Sequence, residues 1–266
     1  MRTAAYKSFK VEYFGKEAHA AARPWDGINA LDALITAYNA ISVLRQQTQP
    51  GDIIQGHITN GGLRPNIIHA YASGMFVVRS SNRARREALR KRVMACFEAG
   101  ATATGATLQV TPKGSYDDHM PNRALASRYR DSFNQLGGDI REEEIDYLTG
   151  STMASTDQGN ISYAMPSISV GVVRLTCSYS QLTKTSQPNF WIRSEGKTGE
   201  QLGGPHTPDF EKAARTEEAH GLALRVAKAL ASTAVDVLTN SHLLQEVKRE
   251  FEEMKKQDAE LLEAQS

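Results

Sequence analysis

The feature that most constrains the fold is a change of hydrophobic period that occurs twice in the first half of the chain. Over 9–14, Val11 and Tyr13 alternate with polar residues, a period of two that suits a strand. Ile28, Leu31, Leu34, Ile35, Tyr38, Ile41 and Leu44 then fall on one stripe at helical spacing. Asp26 is the expected N-cap of a helix over about 27–47, and Pro50 and Gly51 stop it. Residues 53–59 alternate again, Asn60, Gly61 and Gly62 signal a turn, and 70–79 read as a third strand. A second helix over 83–102 has Leu89, Val93 and Phe97 on its buried face, and 106–111 supply a fourth strand. Strand and helix alternate as βαββαβ, which predicts a ferredoxin-like sandwich over 8–117, with a linker at 114–121.

The second half is less regular. A helix is expected over 122–136, ending at Gly137 and Gly138, a loop over 151–160 and a strand over 167–175. Residues 176–205 are polar without a period. Residues 209–240, with Leu222, Leu224, Val226, Leu230, Val235 and Leu238, are strongly helical, and a charged amphipathic helix follows over 243–262. Such helices need a sheet to cover, and few strands supply one, so this half by itself reads as incomplete.

Charge and composition narrow the function classes. Arginine and lysine number 31 against 30 acidic residues, so a net charge of +1 gives no global attraction to nucleic acid or anionic lipid. Cys96 and Cys177 are too few for a disulfide framework or a four-cysteine zinc site, and both read as small core residues. No stretch approaches the roughly 20 apolar residues of a membrane span. The first residues carry charges throughout and lack the apolar run of a secretory signal. The expectation is a cytoplasmic protein without membrane or nucleic-acid partners.

Motifs for zinc peptidases of the HExxH type, phosphate loops, dinucleotide folds and nucleophile elbows are absent. Attention therefore falls on polar residues at element ends. His19, in GKEAHAAARPWDG, sits between a strand and a helix, where backbone N–H groups and the helix dipole receive an anion. His206, in GGPHTPDF, precedes a helix, and a neutral imidazole there is able to ligate a metal. Asn66, in GGLRPNIIH, lies between two strands. Arg79 ends a strand, where its guanidinium can fork onto a carboxylate. Asp117, Asp118 and His119 adjoin in the linker and read as solvated polar residues.

Taken in order, GKEAHAAARPWDGINALDALITAYNAISVLRQQ, GGLRPNIIHAYA, the Val78-Arg79 strand end, STDQGNISYAMP and GGPHTPDFEKAARTEEAH resemble the zinc amidohydrolase and dipeptidase family. That family includes aminoacylases, glutamate carboxypeptidases and aminobenzoyl-glutamate hydrolases. The likeness covers about 8–173 and 203–250 and is nearest the aminobenzoyl-glutamate hydrolase B and β-alanyl-lysine dipeptidase branch. It implies an α/β (α+β) architecture: a ferredoxin-like lid and dimerisation domain at 8–117, followed by the C-terminal part of the catalytic α/β domain at 118–266. It also implies two zinc ions, a homodimer formed through the lid, and dipeptide or N-acyl amino acid substrates. Carried over residue by residue, His19 polarises the scissile carbonyl, often at the neighbouring subunit's site, and Asn66 stands beside it. Arg79 holds the substrate carboxylate, Asp157 contacts the substrate or supports the site, and His206 is the last metal ligand.

Two departures qualify the likeness. The family takes most metal ligands and its general-base glutamate from the half before the lid, and this sequence begins almost at the lid, so an inactive truncated chain is expected. Residues 174–201 depart from the family pattern as an insertion or a mistranslated segment would. The alternative function is a non-catalytic dimerisation or interaction module. RNA recognition is the third reading, because βαββαβ units also build RNA-binding sheets and Arg83, Arg85, Arg86, Arg90, Lys91 and Arg92 cluster. The stacking aromatics of such sheets are missing, and a solvated helix face explains the basic run better.

Overall fold

The computed structural model describes residues 2–140, 151–170 and 208–264. The expectations at His206, Cys177 and 174–201 lie outside them. In chain order the elements are β1 (Arg2–Thr3), β2 (Ala5–Phe14), β3 (Ala18–His19), α1 (Ala30–Leu44), β4 (Ile53–Asn60), β5 (Ile67–Ile68), β6 (Tyr71–Ser80), α2 (Arg83–Thr104) and β7 (Thr107–Tyr116). Then come α3 (Arg123–Gln135), β8 (Ser151–Thr152), α4 (Gln158–Ala164), α5 (Pro208–Ala214), α6 (Glu217–Thr239) and α7 (Ser241–Glu263). They divide into two compact units. One holds 4–118, 153–157 and the end of the chain from 258; the other holds the first three residues, 119–152 and 158–257.

The first unit is a four-stranded antiparallel sheet in the order β4-β6-β2-β7, with α1 and α2 packed on it. In the order β2, β4, β6, β7 the strands have the ferredoxin-like arrangement expected from the sequence. The alternation is what makes the seam: Phe9, Val11 and Tyr13 of β2 and Ala72, Phe76 and Val78 of β6 are buried. Leu34, Ile41, Leu89, Val93 and Phe97 meet them from the helices. Phe97 packs edge-on against Phe76 at 4.8 Å and against Phe9 at 6.0 Å between ring centroids. Tyr13 donates its hydroxyl to the Phe97 carbonyl at 2.8 Å, and burial pushes that phenol far above its ordinary pKa. The two helices touch closely at Gly100, where a Cβ would meet the Ala33 carbonyl oxygen at 2.3 Å.

Boundaries differ from the sequence reading for local reasons. The first helix begins at Ala30, capped by Asn29 whose side chain accepts from Leu31 N at 3.0 Å, while Asp26 closes a short 3-10 turn at Pro24–Asp26. Ile28 cannot start the helix because its N–H and C=O are both paired with Lys16, at 2.9 Å each. The last strand continues to Tyr116 and takes up the first part of the expected linker. It carries Pro112 on an outer strand, beside a bulge at Lys113, where a missing N–H is tolerated. Further along, 151–160 is not all loop: β8 and the start of α4 lie in it. The expected helix over 209–240 is two, α5 and α6.

Asp118 and His119 are not solvated and Asp117 is only partly so, which corrects the sequence reading. Asp118 and His119 are buried, and Asp118 caps α2 by accepting from Arg83 N at 2.7 Å. Asp117 accepts from Arg86 Nη1 at 2.8 Å. Three further arginines of the α2 run meet carboxylates: Arg83 forks onto Asp258, Arg85 meets Asp52 at 2.8 Å and Arg90 meets Glu87 at 2.5 Å, while Arg92 donates to the Gln47 carbonyl. Arg90 holds the Glu87 carboxyl below its usual range.

In the second unit α3 packs on α6 through Tyr129, Phe133, Val226 and Ala229. Burial pushes the Tyr129 phenol up to about 12. Asn122 caps α3 through Leu125 N and donates to the Val247 carbonyl, while Glu250 accepts from Arg123 N and Ala124 N. The start of α3 is thereby held by α7. Residues 167–170 have no regular structure, and 171–175 lie outside the described residues.

Two outcomes test this packing. Phe97→Ala is expected to lower stability by about 3–5 kcal/mol, because it empties the centre of the aromatic seam. Gly100→Ala should cost about 1–3 kcal/mol by forcing α1 and α2 apart; both are read from denaturant midpoints. A folded-state pKa held down at Glu87 contributes stability above the carboxyl's ordinary value of 4.5 and loses it as pH falls below that. Glu87→Gln should therefore flatten part of the acid limb of stability against pH.

Candidate functional site

His19 and Asn66 are brought together by a small piece of sheet. β3 and β5 pair antiparallel, His19 opposite Ile67, and Ala20 N donates to the Asn66 carbonyl at 3.1 Å. The loops that carry them are anchored at their bases: Gly15 N donates to Ala70 O at 2.7 Å and Ala30 N to His69 O at 2.8 Å. Gly15 is required there, since a Cβ would meet the Ile28 carbonyl oxygen at 2.0 Å. Both His19 and Asn66 are exposed. The imidazole is fixed by its own turn: Nδ1 accepts from Ala21 N at 3.3 Å and Ala22 N at 3.1 Å. The helix start expected close after His19 comes later in the chain, at Ala30, and the amides that meet the imidazole are those of its own turn.

Arg79 lies on β6 of the four-stranded sheet, near the end of the strand remote from Tyr71. It pairs with Tyr6, near the start of β2, whereas Phe14, at its end, pairs with Tyr71. The eight steps from Tyr71 to Arg79 span about 27 Å at about 3.4 Å each. Arg79 Nη1 donates to the Met153 carbonyl at 3.1 Å and to Ser155 Oγ at 3.0 Å, and its guanidinium sits 4.7 Å over the Tyr6 ring. Tyr6 in turn stacks on Tyr116 at 5.8 Å. Ser155 donates to Ala4 O at 2.7 Å, and Ala4 N donates to Ala154 O at 3.0 Å. The segment 153–157 is so fastened along the sheet end, and Asp157 stands exposed at its close.

The structure therefore brings His19 and Asn66 together at the two-stranded β3-β5 sheet, and sets Arg79 beside the 153–157 segment on the four-stranded sheet. His206 lies outside the described residues. Among the described residues no three of His, Cys, Asp and Glu converge as a metal site would require. Tyr6 and Ser155 escape the sequence reading. Tyr6 precedes the expected first strand, and Ser155 sits in a polar run whose register nothing local determines. No helix among the described residues is long and apolar enough to cross a membrane.

The chain is similar to several known proteins. The peptidase dimerisation domain family matches residues 3–104. Xaa-Arg dipeptidase of Mus musculus is 36% identical over 253 residues, covering 95% of this chain and 52% of that protein. The Homo sapiens Xaa-Arg dipeptidase is 35% identical over 257 residues, with 96% and 52% covered. A p-aminobenzoyl-glutamate hydrolase component of Escherichia coli K12 is 24% identical over 280 residues, with 95% and 58% covered. Among solved structures, an aminobenzoyl-glutamate utilization protein from Klebsiella pneumoniae aligns with a TM-score of 0.46 at 18% identity, over 60% of this chain and 41% of that one. The chain thus spans about half the length of the curated relatives it matches. Residues 3–104 thus match the peptidase dimerisation domain family, and the chain is similar, over about half their length, to Xaa-Arg dipeptidase and to p-aminobenzoyl-glutamate hydrolase.

Proposed function

We propose that the complete protein is a zinc-dependent hydrolase of amide bonds in dipeptides or N-acyl amino acids, and that this chain supplies its lid with the C-terminal part of its catalytic domain. The support is the homology to two amide hydrolases together with the pairing of His19 and Asn66 on β3 and β5. In this reading the His19 and Asn66 side chains are the two donors that an amide carbonyl meets. Both strengthen as the carbonyl becomes a tetrahedral oxyanion, which lowers the barrier. The Arg79 guanidinium, oriented by Tyr6, is the group that would fork onto a substrate carboxylate.

Two zinc ions are the proposed cofactor, with His206 as one ligand. A dinuclear centre takes roughly four or more side-chain ligands. The described residues do not hold such a set, so no step of this account runs through the metal.

The separation of the two pairs favours a homodimer formed through the dimerisation domain. In this reading His19 and Asn66 do not serve the substrate held at Arg79 of their own protomer, because the segments that carry them join β2 and β6 at Phe14 and Tyr71, and Arg79 stands about 27 Å of strand from Tyr71. A second copy, turned end for end, can bring them there. The same domain supports a second reading for the chain by itself, a non-catalytic dimerisation module.

Three outcomes follow. Light scattering at micromolar concentration should give a dimer, and a clean monomer contradicts the assembly. The chain alone should show no zinc-dependent hydrolysis of a dipeptide panel above blank; chelator-sensitive turnover would show that it is complete. Fused to the unmatched half of the mouse relative, it should hydrolyse dipeptides with zinc. In that fusion His19→Ala should cost about 10²–10³ in kcat, and Arg79→Ala should chiefly raise KM. Mixed dimers of the two variants should regain activity if the site crosses the interface. A folded, dimeric, zinc-loaded fusion without turnover would end this reading.

A further inference from the structure

We infer that the turn at residues 19–22 is a positioning device: the backbone amides of Ala21 and Ala22 fix His19 as the tautomer with its proton on Nε2. This rests on the proposed role of His19 for its functional meaning, but the tautomer itself stands on geometry alone. Nδ1 has a single in-plane lone pair. Two N–H groups converge on it, from Ala22 at 3.1 Å and Ala21 at 3.3 Å. A proton on Nδ1 would face both donors, so a neutral ring places its proton on Nε2.

The turn that presents those amides is itself held from both sides. Arg23 N donates to the His19 carbonyl at 3.1 Å, closing one helical turn, and Arg23 pairs with Asp26 at 2.7 Å. Upstream, His19 is in register with Ile67, and Ala20 N is tied to Asn66 O. The imidazole takes the place that a serine or aspartate oxygen occupies at a helix start, accepting from the amides two and three residues on. Its orientation is thus set by backbone rather than by a carboxylate. The consequence is a division of labour. An imidazole backed by a carboxylate is prepared to accept a proton at its outer nitrogen, as in hydrolytic triads. An imidazole whose inner nitrogen is occupied by amide donors offers a donor outward and is suited to bind an oxyanion, not to act as general base. Ala21 and Ala22 are therefore positioning residues through their N–H groups, and their methyl side chains are incidental to that role.

The test is a long-range proton–nitrogen NMR correlation on the uniformly nitrogen-labelled 266-residue chain at neutral pH, with the His19 ring assigned by its disappearance in His19→Gln. The expected pattern is a protonated Nε2 and an unprotonated Nδ1. A proton on Nδ1, in either charge state, overturns the inference. Ala22→Pro removes the 3.1 Å donor and should shift the His19 nitrogens toward a mixture of tautomers while the strand resonances of β2 and β6 stay in place. An unchanged His19 pattern in a folded Ala22→Pro protein also counts against it. Because the readout needs neither metal nor turnover, an inactive fusion with the Nε2–H tautomer present would sink the hydrolase reading and leave this one standing. An active fusion with the proton on Nδ1 would do the reverse.

Discussion

The seam between the four-stranded sheet and its two helices is what the other features hang from. Phe9, Phe76 and Phe97 interlock there, and the Tyr13 hydroxyl satisfies the Phe97 carbonyl inside an apolar layer. Aromatic rings bury large areas and have angular preferences, so the seam fixes strand register and helix position together. Once β2 and β6 are locked in register, the loops at one end must present His19 and Asn66, and the opposite end must present Arg79. Neither pair has any freedom to drift toward the other.

Charge closes the same unit at the start of α2. Arg83, Arg85 and Arg86 each meet a carboxylate from another part of the unit: Asp258, Asp52 and Asp117. Ion pairs of this partly buried kind add little net stability, because desolvation offsets attraction. Their effect is positional. They hold the chain after β7 and the final turns of α7 against the start of α2. A run of basic residues that looks like a nucleic-acid footprint in one dimension is, in three, a set of fasteners. Phe76 of β6 likewise is buried in the core.

The placement of the two candidate pairs is what ties the fold to the proposed function. A strand of eight steps cannot be shortened, so under that proposal a reaction that uses His19 and Arg79 together uses two protomers. Arg79 is supported at its own place by Tyr6, by Tyr116 through Tyr6, and by the 153–157 segment. Under the same proposal, a cation that meets a ligand brought by another protomer gains from being oriented beforehand.

Much of the first unit is legible in the order of residues. The switch from period two to period 3.6 determines βαββαβ, because alternation and helical stripes follow from backbone geometry alone. The motif around His19, GGLRPNIIH and the strand end at Arg79 locate the candidate residues for the same reason: each lies at an element boundary. Other features are invisible in one dimension. Asn29 displaces Asp26 as helix cap because Ile28 is paired with Lys16, a contact made across a loop. Asp117 and Asp118 read as solvated because their partners, Arg86 and the start of α2, are about thirty residues away in sequence. The sequence by itself determined the alternation of elements, the identity of the buried face and the residues at the strand ends. Only the tertiary structure decided which of those ends adjoin, which arginines are already engaged and which nitrogen of His19 faces outward, because hydrogen bonds between distant segments exist only once the chain has closed on itself.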